Sequence, residues 1–176
     1  MLYCRIVIKN ENVSTILKDL NCKLKSEYDF YDLIYLSKLG KSITEDTLKI
    51  RVYNKNEWNT KDVLVIRKTA FLVNGAKEDR VLFKEEFDDV ENAQKYVNNS
   101  FKDEFEYAFK LSKCGKEYIS DKCRIWVEEI ENFDLSVEIE TTNEQILEDV
   151  INRFDVIERL EKSIPEIMYE RIVKNS

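Results

Sequence analysis

The chain opens on strict alternation. From Leu2 to Lys9, Leu2, Cys4, Ile6 and Ile8 take every second place against Tyr3, Arg5, Val7 and Lys9, the period of a half-buried β-strand whose second face is basic. From Asn10 to Leu20 the period lengthens: Val13, Ile16, Leu17 and Leu20 fall on one helical face, with Asn10 or Asn12 placed as N-cap. Cys22 to Leu36 interleaves Tyr28, Phe30, Tyr31 and Tyr35 with Asp29 and Asp32 and is expected to hold a strand. Thr47 to Tyr53 repeats the opening pattern, Leu48, Ile50 and Val52 alternating with Lys49, Arg51 and Tyr53. Val63 to Val73 is a β-branched run carrying Arg67 and Lys68. It ends at Asn74-Gly75, a hairpin signal, with a return strand expected over Arg80 to Phe87 after a loop longer than two residues.

Helical spacing returns from Asp88 to Leu111, where Val90, Ala93, Val97, Phe101, Phe105 and Ala108 share a face that Asn98-Asn99-Ser100 can split. Strands are then expected over Lys116–Ile119, Cys123–Glu131 and Leu135–Thr141. A last long helix, capped by Thr141 or Thr142, runs through Ile146, Val150, Phe154, Ile157 and Leu160. Pro165 opens a short terminal helix with Met168 and Ile172. The pattern predicts an α+β fold in one domain over residues 1–176. Its predominantly antiparallel sheet of about eight strands is large enough to curl into a barrel, with flanking helices and a C-terminal helix.

Composition narrows the chemistry. The 43% hydrophobic content suits one well-buried domain, while 36% charged residues and a net charge of -7 argue against DNA or an anionic membrane as partner. No apolar run approaches the roughly 20 residues of a membrane span, and the start does not read as a signal peptide, so a cytoplasmic location is expected. Cys4, Cys22, Cys114 and Cys123 have no CxxC spacing and read as reduced, mostly buried thiols. The chain has no histidine, which removes His-based nucleophilic catalysis. Three glycines, none in a phosphate-loop pattern, argue against dinucleotide and P-loop folds.

The remaining signal is a charge pattern. Glu138 and Glu140, two apart in Val137-Glu138-Ile139-Glu140, point to one face of a strand. Basic faces recur on other alternating strands, at Arg5/Lys9, Lys49/Arg51 and Arg67. A sheet lined by such charges needs carboxylates, water or a bound anion as partners.

These elements resemble the CYTH family, the class IV adenylyl cyclases and thiamine triphosphatases also called triphosphate tunnel metalloenzymes. Val137-Glu138-Ile139-Glu140 with the following Thr142–Leu160 segment is similar to that family's last acidic strand and helix, and Glu128 stands about where it often has an Asp. Leu48-Lys49-Ile50-Arg51 resembles its Leu-Arg-Ile-Arg strand, and Leu64-Val65-Ile66-Arg67 its Leu-Thr-x-Lys strand. Asp29-Phe30-Tyr31-Asp32 resembles Asp-x-Tyr-Phe-Asp, one residue short. The family's opening Glu-x-Glu-x-Lys is replaced by Arg5, Val7 and Lys9, a change of about three charge units at neutral pH. Leu82 and Lys84 also stand where acidic residues are common.

The resemblance implies a basic tunnel that binds a triphosphate, nucleotide or polyphosphate through Arg5, Lys9, Lys49, Arg51, Arg67 and Arg80. It also implies Mg or Mn at Glu138 and Glu140, weakened by the substitutions at Arg5 and Val7. Three functions follow: metal-dependent triphosphate hydrolysis or ATP cyclisation, nucleotide binding without catalysis, or a protein-interaction module that keeps only the fold. The apolar stripe of the last helix offers a face for a homodimer.

Overall fold

A computed structural model describes residues 2–9, 12–55, 61–73 and 76–172. In chain order these form β1 (Leu2–Ile8), α1 (Val13–Asp19), β2 (Lys23–Ser37), β3 (Thr47–Lys55), β4 (Val63–Val73), β5 (Ala76–Phe87), α2 (Val90–Ser100), β6 (Phe105–Ile119), β7 (Arg124–Ile130), β8 (Ser136–Thr141), α3 (Glu144–Ile151), β9 (Val156–Leu160) and α4 (Ile164–Ile172). The nine strands make one antiparallel sheet in the order β5-β4-β3-β2-β6-β7-β8-β1-β9, so β5 and β9 are the ends of the hydrogen-bonded order. The alternating segments became strands as expected. The Asn74-Gly75 turn lies outside the described residues, but Val73 already pairs with Ala76, so the return strand starts earlier than Arg80.

Two expected helices end sooner than their spacing suggested. α2, with the Asp89 carboxylate accepting from the Asn92 N–H at 2.7 Å, stops at Ser100 instead of running to Leu111. The Phe101 N–H donates to the Val97 carbonyl at 2.9 Å, the Phe105 N–H turns back onto Phe101, and a 15-residue strand begins. The competing period of two in Phe105-Glu106-Tyr107-Ala108-Phe109-Lys110-Leu111 wins, because aromatic residues favour a pleated surface.

α3 is capped by Asn143, whose side chain accepts from the Ile146 N–H at 3.1 Å, rather than by Thr141 or Thr142. It ends at Ile151, and the predicted continuation through Ile157 and Leu160 is instead the strand β9. β1 has β8 on one side, and β9 takes the other, pairing Arg5 with Leu160 and Val7 with Glu158. β-Branched Val156 and Ile157 suit that position. Arg159 ties the strand to α3 through two bonds to Glu148, at 2.9 and 2.7 Å.

Backbone contacts gather the chain into two compact units, Met1–Asp29 with Lys113–Glu161, and Phe30–Ser112 with Lys162–Ser176. In the first unit, Ile6, Ile125, Val137 and Ile139 are fully buried on one sheet face with Leu147, Val150 and Ile151 of α3 and Leu17 of α1. Each such side chain stabilises the fold by about 1.5–3 kcal/mol. The alternation that sends these inward sends Arg5, Glu128, Ser136, Glu138 and Glu140 to the other face. In the second unit, Leu48, Ile50, Val63 and Val65 pack with Ala93 and Val97 of α2, which leaves Lys49 and Arg51 on the opposite face. Among the described residues, no helix is long and apolar enough to cross a membrane.

Candidate functional site

In the first unit the pairing of β1 with β8 sets Arg5 directly across from Glu138. The Arg5 guanidinium donates to Glu138 with one nitrogen and to Glu128 of β7 with the other, and it also reaches the Ser136 hydroxyl at 3.2 Å. Glu128, whose side chain is only 4% exposed, further accepts from the Tyr28 hydroxyl and pairs with Lys113. Burial alone would raise its pKa. The neighbouring Lys113 and Arg5 outweigh that and hold it down to about 2. The Tyr28 phenol moves the other way, raised by burial and by the adjacent Glu128 charge. The four charged groups balance: two carboxylates against two cations. On the same face, Glu117 accepts from Ser26 at 2.9 Å and Lys25 at 3.1 Å.

In the second unit one carboxylate serves two cations. Asp32, 3% exposed, accepts from Lys49 Nζ at 2.8 Å and from Arg51 Nε and Nη2 at 2.7 and 2.8 Å. The Arg51 guanidinium lies 3.7 Å from the centre of the Phe30 ring, a cation–π contact that anchors its plane. Burial pushes Lys49 down to about 7, with repulsion from Arg51 and Lys68 adding to the effect and Asp32 opposing it. Asp32 itself lies well below the usual carboxylate range: burial works against ionisation, and Arg51 and Lys49 overcome it. While Lys49 is protonated, one negative and two positive charges leave the site net positive, with Lys68 near enough to repel Lys49.

The basic residues singled out from the sequence therefore divide. Lys49 and Arg51 share one site, and Arg5 sits among carboxylates. Arg67 pairs across the ladder with Leu48 while Lys49 pairs with Ile66, so Arg67 projects from the opposite face to Lys49. There it forms two bonds to Asp46, at 2.9 and 2.8 Å, and one to Glu104 at 3.0 Å, above the Phe105 ring. Lys9 is exposed beside Asp155 at 3.5 Å, and Arg80 is exposed on β5. Glu138 and Glu140 share a face as read, but their cross-strand neighbours are Arg5 and Trp126 for Glu138, and Tyr3 and Arg124 for Glu140.

Lys113 and Tyr28 were not singled out as site residues from the sequence. Lys113 follows the stretch assigned to a helix, and only the alternation continuing through β6 reveals that it shares a face with Gly115. The residues here do not fit a divalent ion at Glu138: its carboxylate and that of Glu128 both hold the Arg5 guanidinium. Among the described residues, no group of three or more acidic or cysteine side chains is arranged to hold a metal.

No protein-family model matches the chain, and no curated protein does. Solved structures do, and they define a CYTH-like fold. The PH1819 protein of Pyrococcus horikoshii is similar over 100% of both chains, with a TM-score of 0.71 at 17% identity. A candidate adenylate cyclase of Vibrio parahaemolyticus gives a TM-score of 0.66 at 15% identity over 95% of this chain and 96% of its own. The candidate adenylyl cyclase HpAC1 of Hippeastrum, whose dominant activity is that of a triphosphatase, gives 0.55 at 16% identity over 86% and 84%.

Proposed function

We propose that this protein binds a phosphate-bearing anion, a triphosphate, nucleotide or polyphosphate, on the face that carries Lys49 and Arg51. The observation that carries the reading is Asp32, one buried carboxylate shared by two half-buried cations. The excess positive charge is costly in a poorly hydrated site unless an anion completes it, and a phosphate oxygen suits both a guanidinium and an ammonium. The likeness to HpAC1, a triphosphatase, supports the ligand class. Binding of this kind needs only positioning and charge, which agrees with a chain that has no histidine.

Thermal unfolding with tripolyphosphate or ATP, in chelator and then in Mn²⁺, tests the reading. A ligand that binds only the folded state raises the melting temperature by mass action. The expected result is a rise in chelator that Lys49→Met and Arg51→Met each reduce. No rise under either condition overturns the proposal and leaves a module that keeps the fold for protein contacts. A rise confined to Mn²⁺, lost in Glu138→Gln, favours the metal-dependent enzyme instead.

A further inference from the structure

We infer that Arg5 is a built-in replacement for a divalent cation: its guanidinium occupies the carboxylate pair Glu128 and Glu138, and the cluster excludes metal. Three observations carry this. The strand register fixes the position, because Arg5 is the direct cross-strand partner of Glu138 in β8 and Glu128 is drawn in from β7. The donors fit, because a planar guanidinium offers hydrogens in a fork, and here it satisfies two carboxylates and the Ser136 hydroxyl together. The charges close, because Lys113 gives Glu128 a second cation and brings two carboxylates into balance with two positive groups.

A divalent ion entering this cluster would add two charges to a balanced and largely buried group. It would be tolerated only if Arg5 left. A guanidinium does not deprotonate in a protein, so Arg5 must be displaced whole, with its buried carboxylate contacts broken. The first unit thus keeps a fixed single positive charge between the two carboxylates. This inference does not rest on the anion reading of the second unit.

The test is a titration of the full chain with Mn²⁺ alone, no phosphate present, followed by the electron paramagnetic resonance of free Mn²⁺. The wild type is expected to take up none at millimolar metal, and Arg5→Lys none either. Arg5→Gln, checked for folding by circular dichroism, is expected to take up Mn²⁺ at a concentration at least about tenfold below the highest at which the wild type takes up none, and to lose that uptake when combined with Glu138→Gln. Wild-type uptake that Glu138→Gln abolishes would overturn the inference, as would a folded Arg5→Gln that gains nothing. If Arg5→Gln does not fold, the wild-type titration with and without Glu138→Gln still decides it. Because no phosphate is present, a failure here is distinct from a failure of the anion site.

Discussion

Gly115 lies directly across from Glu128 in the β6–β7 ladder, and a Cβ built on it would stand 2.7 Å from the Tyr28 hydroxyl oxygen and 2.8 Å from the ring carbon that bears it. The glycine is the space through which Tyr28 reaches Glu128. Glycine inside a strand forgoes packing and costs backbone entropy, so its place here has a steric reason.

Gly115→Ala is therefore expected to destabilise the fold by about 1–3 kcal/mol, the usual cost of overpacking. Tyr28→Phe removes the hydroxyl that meets the new methyl first. Urea unfolding of both single variants and the double variant should give a coupling on the order of 0.5–3 kcal/mol, the double costing less than the sum. Strict additivity would show that Gly115 and Tyr28 do not act on each other.

Acid should unfold the protein through the two clusters. Asp32 and Glu128 are both held below their ordinary values of 3.8 and 4.5. A depressed carboxyl contributes stability that is fully present above its unfolded pKa and is lost as pH falls toward the folded value. Unfolding free energy should hold above about pH 5 and drop on the way to about pH 2, with Glu128 accounting for a few kcal/mol. Glu128→Gln should lower stability at neutral pH and flatten the slope below pH 4.5. An unchanged slope would assign the acid sensitivity elsewhere.

The sheet was legible wherever one period stood alone. β3 and β8 each bury one alternating face against helices, and the alternation in the sequence is that burial. Where two periods overlapped, the helical one misled. Phe101 and Phe105, four apart, fit a helix and a strand equally, and Phe154, Ile157 and Leu160 continue the α3 stripe although the open side of β1 takes the last two into β9. In the site, the shared face of Glu138 and Glu140 and that of Lys49 and Arg51 followed from spacing alone. Partner identity did not, because Arg5 meets Glu138 only through a register between residues far apart in the chain, and Asp32 meets Lys49 only through the fold.

Lys49 should make anion binding sensitive to pH near neutrality. Its pKa is lowered from 10.5 to about 7, so the native state gives up this proton while the unfolded chain keeps it up to about 10.5. Between those values the unfolded state binds more protons, and stability from this group rises with pH. Anion affinity runs the other way, because the anion wants the ammonium. Tripolyphosphate binding by calorimetry should weaken by up to about tenfold per pH unit above pH 7, relative to a Lys49→Met variant titrated in parallel to remove the ionisation of the ligand itself. Parallel profiles for the two proteins would take Lys49 out of the site.

The two faces of β4 are expected to separate stability from anion binding. Arg67 belongs to the packed face with Asp46, Glu104 and the Phe105 ring, whereas Lys68 stands near enough to Lys49 to lower its pKa. Arg67→Ala strands Asp46, whose side chain is 3% exposed, beside a single partly exposed cation, Lys41 at 3.1 Å. Breaking such a buried pair costs about 3–5 kcal/mol, less whatever Lys41 still supplies. Lys68→Ala leaves the packed face intact and removes a positive charge from the side that carries Lys49. The expected outcome is a crossed pattern: urea midpoints fall for Arg67→Ala with tripolyphosphate affinity unchanged, and affinity falls for Lys68→Ala with the midpoint little moved. A loss of affinity in folded Arg67→Ala equal to that in Lys68→Ala would mean that the anion is held from the α2 face of the sheet.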